Sequence, residues 1–238
     1  MSFSIDPELI EAWLRGRSVS RGLPQPVPDS GGLRVDSGLP NETRRYLFAR
    51  PVNGLRELGE LICEPRIPLK LCDTPNILRS YLPARWQIFP QNFVMICHEP
   101  CSVAAPTPRP PEGYQLKLRT ESFVTEACIL SAAGELAASG YAAHYGDTFV
   151  YDRILTAENH RRKGLGTAVM AALASARPAS TRRQVLVATP QGRDLYLSLG
   201  WTDYAPYTSA AIPDSRFERF RGRLPPDFKF DRDEANAR

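Results

Sequence analysis

The sequence predicts a mixed α/β protein: a mainly antiparallel sheet flanked by helices, with an N-terminal β-α-β-α-β half packed against it. Three observations carry this. Residues 1–99 alternate strand-like and helix-like segments, a proline-rich stretch occupies 100–111, and from 112 to 238 strands come consecutively before helices intervene. The expected organisation is therefore an N-terminal half (1–99), a linker (100–111) and a C-terminal domain (112–238).

Taken in order, Asp6-Pro7-Glu8 reads as a helix start, with a capping side chain, a proline at the first helical position and an acid in the first turn. Leu9, Ile10, Trp13 and Leu14 share one face, and Gly16 is expected to end this helix. Residues 17–43 are rich in Pro, Gly and Ser and predict an irregular loop. Strands are expected at 45–49, 67–72 and 93–97, with helices at 54–62 and 74–82 between them. Pro100, Pro106, Pro108, Pro110 and Pro111 predict a stiff, extended linker.

Beyond the linker, 114–119 alternates in polarity, 123–131 follows, and Ala132-Ala133-Gly134-Glu135 forms a hairpin turn into 136–145. Gly146-Asp147 then leads into a strand at 148–156. A helix is expected over 164–177, stopped by Pro178. A short buried strand at 185–189 and a helix at 193–199, closed by Gly200, precede extended chain from Trp201.

Composition excludes several function classes. Hydrophobic content of 42% and charged content of 24% are those of an ordinary soluble domain. No apolar run reaches bilayer-spanning length, and acids stand near the N-terminus where a signal peptide carries basic residues, so a cytoplasmic protein without a membrane partner is expected. The net charge of +4 comes partly from the local cluster Arg161-Arg162-Lys163, which suits a phosphate-bearing small ligand better than a nucleic-acid track. A monomer or homodimer is expected. Cys63, Cys72, Cys97, Cys101 and Cys128 are odd in number, and Cys97, His98 and Cys101 make only half a metal site, so reduced thiols and no metal are expected.

The chemistry concentrates in residues 154–168, where an apolar strand passes through a polar turn into glycines and then a helix. Glycines there let a ligand approach the backbone, and the first N–H groups of a helix have no intrahelical partner. With the helix dipole, these N–H groups form a site for pyrophosphate. Three fingerprints compete. The nucleotide-triphosphate loop fails because Lys163 precedes Gly164, and the dinucleotide pattern fails at Val169 and follows antiparallel strands. R/Q-x-x-G-x-G/A fits fully, with Arg161, Gly164 and Gly166.

That last pattern, after a strand running into Ala157-Glu158-Asn159-His160, resembles the GNAT superfamily of N-acetyltransferases. The segment Leu195-Tyr196-Leu197-Ser198-Leu199-Gly200-Trp201 looks like the late helix of the same family. The resemblance covers residues 112–210. It implies acetyl-CoA as co-substrate, with its pyrophosphate on the loop Arg161, Arg162, Lys163, Gly164, Leu165, Gly166 and Thr167. Its pantetheine arm would lie between the strand carrying Ile154, Leu155 and Thr156 and a second strand ending at Thr189, the two splaying apart. Tyr196 matches the tyrosine that protonates the departing thiolate, a role a phenol suits. Thr189 and Gly192 stand where the family often has Asn and Ala.

The implied reaction is transfer of an acetyl group to a primary amine on a small molecule. The attacking amine must lose a proton, and the acceptor for it is either Asp152, on the strand entering the loop, or a water chain. Asp152 shares strand parity with Val150, Ile154 and Thr156, so these side chains are expected to face together. His144 and Tyr145 are weaker bases, and His160 is a cofactor-side contact or plain surface. The alternative is a non-catalytic acyl-CoA-binding regulatory module, which has no need of Tyr196 or Asp152. The family's two helices between its first and second strands are missing here, so residues 1–99 are expected to wall the acceptor pocket. That half is read as a degenerate GNAT-like copy without the glycine loop, with Trp13, Tyr46 and Trp86 as pocket or core.

Overall fold

A computed structural model describes residues 5–97 and 109–214, and these form one mixed, mainly antiparallel sheet with helices against both faces. Helix α1 (Pro7–Ser20) leads into the hairpin β1 (Val27–Asp29) and β2 (Gly32–Val35). Strand β3 (Arg45–Phe48), helix α2 (Asn53–Leu61), strand β4 (Leu69–Leu71), helix α3 (Pro75–Tyr81) and strands β5 (Gln87–Ile88) and β6 (Asn92–Cys97) complete the first half. The second half begins with the antiparallel run β7 (Tyr114–Glu121), β8 (Val124–Ser131), β9 (Leu136–Tyr145) and β10 (Thr148–Thr156). Helix α4 (Leu165–Ser175), β11 (Arg183–Ala188), α5 (Pro190–Ser198) and β12 (Thr202–Ala211) follow.

The two halves meet through the sheet itself. Its order is β1-β2-β3-β4-β12-β6-β11-β10-β9-β8-β7. β6, from the first half, pairs antiparallel with β11 and β12 of the second. β12 in turn pairs with β4 of the first half over Thr208–Ala210. Each half thus lends its last strand to the other. In both, two parallel strands flank a helix: β3 and β4 around α2, and β10 and β11 around α4. Val94 and Met95 of β6 are fully buried, so this exchanged strand is core to the whole molecule.

Alternation along β10 assigns the two faces. Phe149 and Tyr151 point into the cluster built on α4, whereas Val150 points into the cluster built on α1. A third cluster, holding Trp86, Phe48 and Leu78, fills the first half beneath α2 and α3.

Three local expectations are corrected. Helix α1 does not stop at Gly16 but runs on to Ser20. Gly16 is a packing residue: a Cβ there would meet Val150 Cγ2 at 2.5 Å, so glycine lets the helix lie directly on β10. Residues 17–43 are not wholly irregular either, since Val27–Asp29 and Gly32–Val35 close a hairpin around Ser30 and Gly31, both at positive φ. Most of the expected linker, with His98 and Cys101, lies outside the described residues. The expectation of reduced thiols is corrected at Cys97, which carries a disulfide, whereas Cys63, Cys72 and Cys128 are free. Among the described residues, no helix is long and apolar enough to cross a membrane.

Candidate functional site

The site begins where β10 and β11 part. Their parallel pairing covers only Thr148–Val150 against Arg183–Val185, although both strands continue to Thr156 and Ala188. On its other edge β10 carries a bulge between Asp152 and Leu155, with Arg153 at φ 53°. A bulge inserts an extra residue and turns the following side chains over. This corrects the shared parity expected for Asp152 and Ile154. Asp152 faces α1 with Val150, whereas Ile154 turns to the α4 side, where its Cδ1 lies with Val169 and Leu173 around Gly140.

The loop after β10 is held from below. A short 3-10 turn, Glu158–His160, places the His160 ring 2.9 Å from the Tyr114 hydroxyl of β7. Lys163 Nζ donates to the same hydroxyl at 3.1 Å, so Tyr114 tethers both ends of the turn. His160 is therefore a buried anchor and not plain surface. Arg161, Arg162, Lys163 and Gly164 are exposed above this anchor, Arg162 and Gly164 at φ 63° and 75°. Gly164 caps α4 without a side-chain bond, which leaves the N–H groups of Leu165, Gly166 and Thr167 without an intrahelical acceptor. A Cβ on Gly164 would meet nothing within 4 Å, and on Gly166 it would press Leu195 Cδ2 at 2.9 Å. The helix start is open, positive in partial charge and bare, which fits an anionic pyrophosphate.

Helix α5 supplies the opposite wall. Thr189 is its N-cap, its hydroxyl accepting from Gly192 N–H at 3.2 Å. Tyr196 is buried, edge-on to Trp201. Burial, then the nearby Asp152 charge, push its phenol up to about 12. Tyr196 thus keeps its proton across the physiological range. Giving that proton up fully is uphill, and a hydrogen bond donated to a developing thiolate is the easier task.

Thr189, Gly192 and Tyr196 border a cavity of about 300 Å³ that runs from the parted strands to α1. Asp152 and Ile154 also line it, as do Trp13, Arg17 and Arg21 from α1 and its cap, Arg45 of β3 and Lys70 of β4. Leu155 is instead half-exposed outside it. Asp152 accepts from Arg21 Nε at 2.6 Å, Arg21 Nη2 at 2.8 Å and Ser20 Oγ at 2.9 Å. Burial alone would raise this carboxyl. The Arg21 hydrogen bonds and charge, with Arg17 and Ser20, outweigh burial and hold it below the usual carboxylate range. A carboxylate so stabilised is a weaker base than an unpaired one.

The structure brings Asp152 and Tyr196, the two expected catalytic residues, to one cavity and leaves His144 and Tyr145 outside its lining. Of the three aromatics singled out in the first half, only Trp13 lines the cavity. Tyr46 and Trp86 are core, the Trp86 indole donating to the Gly59 carbonyl at 2.9 Å. The four cations from the first half were missed. Their strand and helix positions carry no motif, and only the sheet order shows that β3 and β4 reach this cavity. Among the described residues, no cluster of three or more His, Cys, Asp or Glu side chains suits a metal ion.

No protein-family model and no curated relative match the chain by sequence. Solved structures do resemble it. A GCN5-related N-acetyltransferase from Kribbella flavida is 13% identical, with a TM-score of 0.61 over 92% of this chain and 99% of that one. A GNAT-family protein from Novosphingobium aromaticivorans is 17% identical, with a TM-score of 0.55 over 87% and 97%. A GCN5-related N-acetyltransferase-like protein from Streptococcus suis is 15% identical, with a TM-score of 0.54 over 77% and 84%. At these identities the likeness establishes the fold, which is that of the GNAT N-acetyltransferases.

Proposed function

From the GNAT fold as premise, we propose that the chain is an N-acetyltransferase that moves the acetyl group of acetyl-CoA to a primary amine by direct attack. The observation that carries this reading is the bare, exposed start of α4 standing at the end of β10, beside a cavity that holds Tyr196.

The N–H groups of Leu165, Gly166 and Thr167 would hold the pyrophosphate, with Arg161, Arg162 and Lys163 around it. The gap between β10 and β11 would take the pantetheine arm. The amine nitrogen attacks the thioester carbonyl carbon, so a C–N bond forms as the C–S bond breaks. One amine proton leaves to cavity water, since the Asp152 carboxylate is committed to Arg21 and Ser20. The sulfur takes a proton in its place, with Tyr196 donating a hydrogen bond as charge develops there. Holding amine and thioester together in one cavity supplies much of the acceleration.

The test is acetyl-CoA-dependent thiol release over an amine panel, with loss of acceptor mass-labelled as the acetyl amide. Release with at least one amine, abolished in Gly164→Trp, is the expected result. Binding of acetyl-CoA without release for any amine would favour a non-catalytic binding module instead.

A further inference from the structure

The acceptor end of the cavity carries more positive charge than the protein neutralises. Arg21 is paired bidentately with Asp152, and Arg45 with Glu42. Arg17 and Lys70 line the same cavity, and neither forms an ion pair with a carboxylate among the described residues; the Asp152 charge reaches Arg17 only through space while its oxygens are bonded to Arg21 and Ser20. Arg17 is 8% exposed, and its Nη1 is buried with no hydrogen-bond partner. Among the described residues, Lys70 Nζ has only the Ser209 hydroxyl at 3.4 Å and the Tyr207 ring at 5.9 Å. An unpaired buried guanidinium is costly, because water is removed and nothing replaces it. It is also aimed by construction: Gly16 presses α1 onto Val150, which brings the next residue, Arg17, over the cavity.

We propose that Arg17 and Lys70 form a recognition site for an anionic group, so that the acceptor is a small amine that also carries a carboxylate or a phosphate. This rests on the acetyltransferase reading above and narrows its substrate class. The anionic group is bound and not altered, and the acetyl transfer is unchanged. Arg17 offers the planar fork that matches a carboxylate or phosphate, and Lys70 offers a point charge beside it. A cavity of about 300 Å³ is at the small end of ligand sites and suits an amino-acid-sized molecule. Burial first, then the charges of Arg45 and its neighbours, lower Arg17 to about 9 and Lys70 to about 7, as two cations awaiting an anion should be.

The experiment uses matched pairs: the proteinogenic amino acids against their amides, and phosphoethanolamine against ethanolamine. Each member is assayed for thiol release from acetyl-CoA and for thermal stabilisation of the full-length protein. The anionic member of at least one pair should have a kcat/KM tenfold or more above its neutral partner. Whether amino acids or phosphoethanolamine respond tells carboxylate from phosphate. Arg17→Met, which keeps the bulk and removes the unpaired charge, should raise acceptor KM tenfold or more and erase the preference. It should leave acetyl-CoA affinity by calorimetry within about twofold, and the Tm of the unliganded protein unchanged or higher. Equal rates on neutral partners would overturn the proposal, as would a preference that survives Arg17→Met or an Arg17→Met protein that melts well below wild type. Acetyl-CoA binding with no turnover and no stabilisation by any anionic member would overturn it too. Failure of acetyl-CoA to bind at all would instead fall on the enzymatic reading, while stabilisation by anions, lost in Arg17→Met, would still report the anion site.

Discussion

The turns β3–α2 and β10–α4 occupy matching places in the two halves of the molecule, each leaving a parallel strand for a helix, yet only the second is open. In the first, Gly54 sits against the β1–β2 turn, and a Cβ there would run into the Ser30 backbone. In the second, Gly164 faces free space and α4 begins bare. The same topology therefore yields a filled turn on one side and a phosphate-shaped opening on the other. The first half contributes in a different way: it supplies β6 to the centre of the sheet and cations to the cavity beside Tyr196. One half carries the open helix start and the other completes and charges the cavity.

The largest effect should come from separating the halves. Removing residues 1–97 takes β6 from between β11 and β12 and exposes both, so the remainder should lose its cooperative thermal transition. A 98–238 fragment with a native circular-dichroism melt would break the account of an exchanged strand.

Next come the paired glycines. Gly164→Trp should abolish acetyl-CoA binding while changing Tm by only a few degrees. Gly54→Ala should do the reverse, destabilising by about 1–3 kcal/mol through overpacking on Ser30 and leaving acetyl-CoA affinity intact. Asp152→Asn removes the anion paired with Arg21 and should cost about 3 kcal/mol of stability, read from the urea midpoint. Because the Asp152 pKa is lowered on folding, its contribution is present above the unfolded value and is lost as pH falls through the folded one. The difference between wild type and variant should therefore vanish in acid.

Tyr196→Phe should lower kcat about 100-fold with acetyl-CoA affinity unchanged, since the hydroxyl acts only as sulfur becomes charged. The smallest effect is a slope. Lys70 is lowered to about 7, so between pH 7 and 9 the unfolded chain binds more protons and the unliganded protein should gain stability as pH rises. Lys70→Met should flatten that rise.

The sequence was legible where a residue's role is local. The strand Thr148–Thr156, the glycine loop and the helix that begins at it follow from alternation, a capping position and helical periodicity. It was less legible where a role depends on what lies across space. Nothing in the alternation of β10 marks the bulge that sends Asp152 and Ile154 to opposite faces. Gly16 reads as a helix stop until Val150 is found beneath it, and His160 as surface until Tyr114 is found beside it. Arg17, Arg45 and Lys70 lie far in the chain from Asp152 and Tyr196: the packing of α1 on β10 brings Arg17 to their cavity, and the exchange of β6 and β12 brings Arg45 and Lys70.

The central claim is that the open start of α4 binds acetyl-CoA. Calorimetric titration of acetyl-CoA into the wild type and into Gly164→Trp tests it most directly. The account predicts one-to-one binding by the wild type and none by a variant that keeps its folded circular-dichroism spectrum. No heat with the wild type, or equal affinity for both proteins, would contradict it.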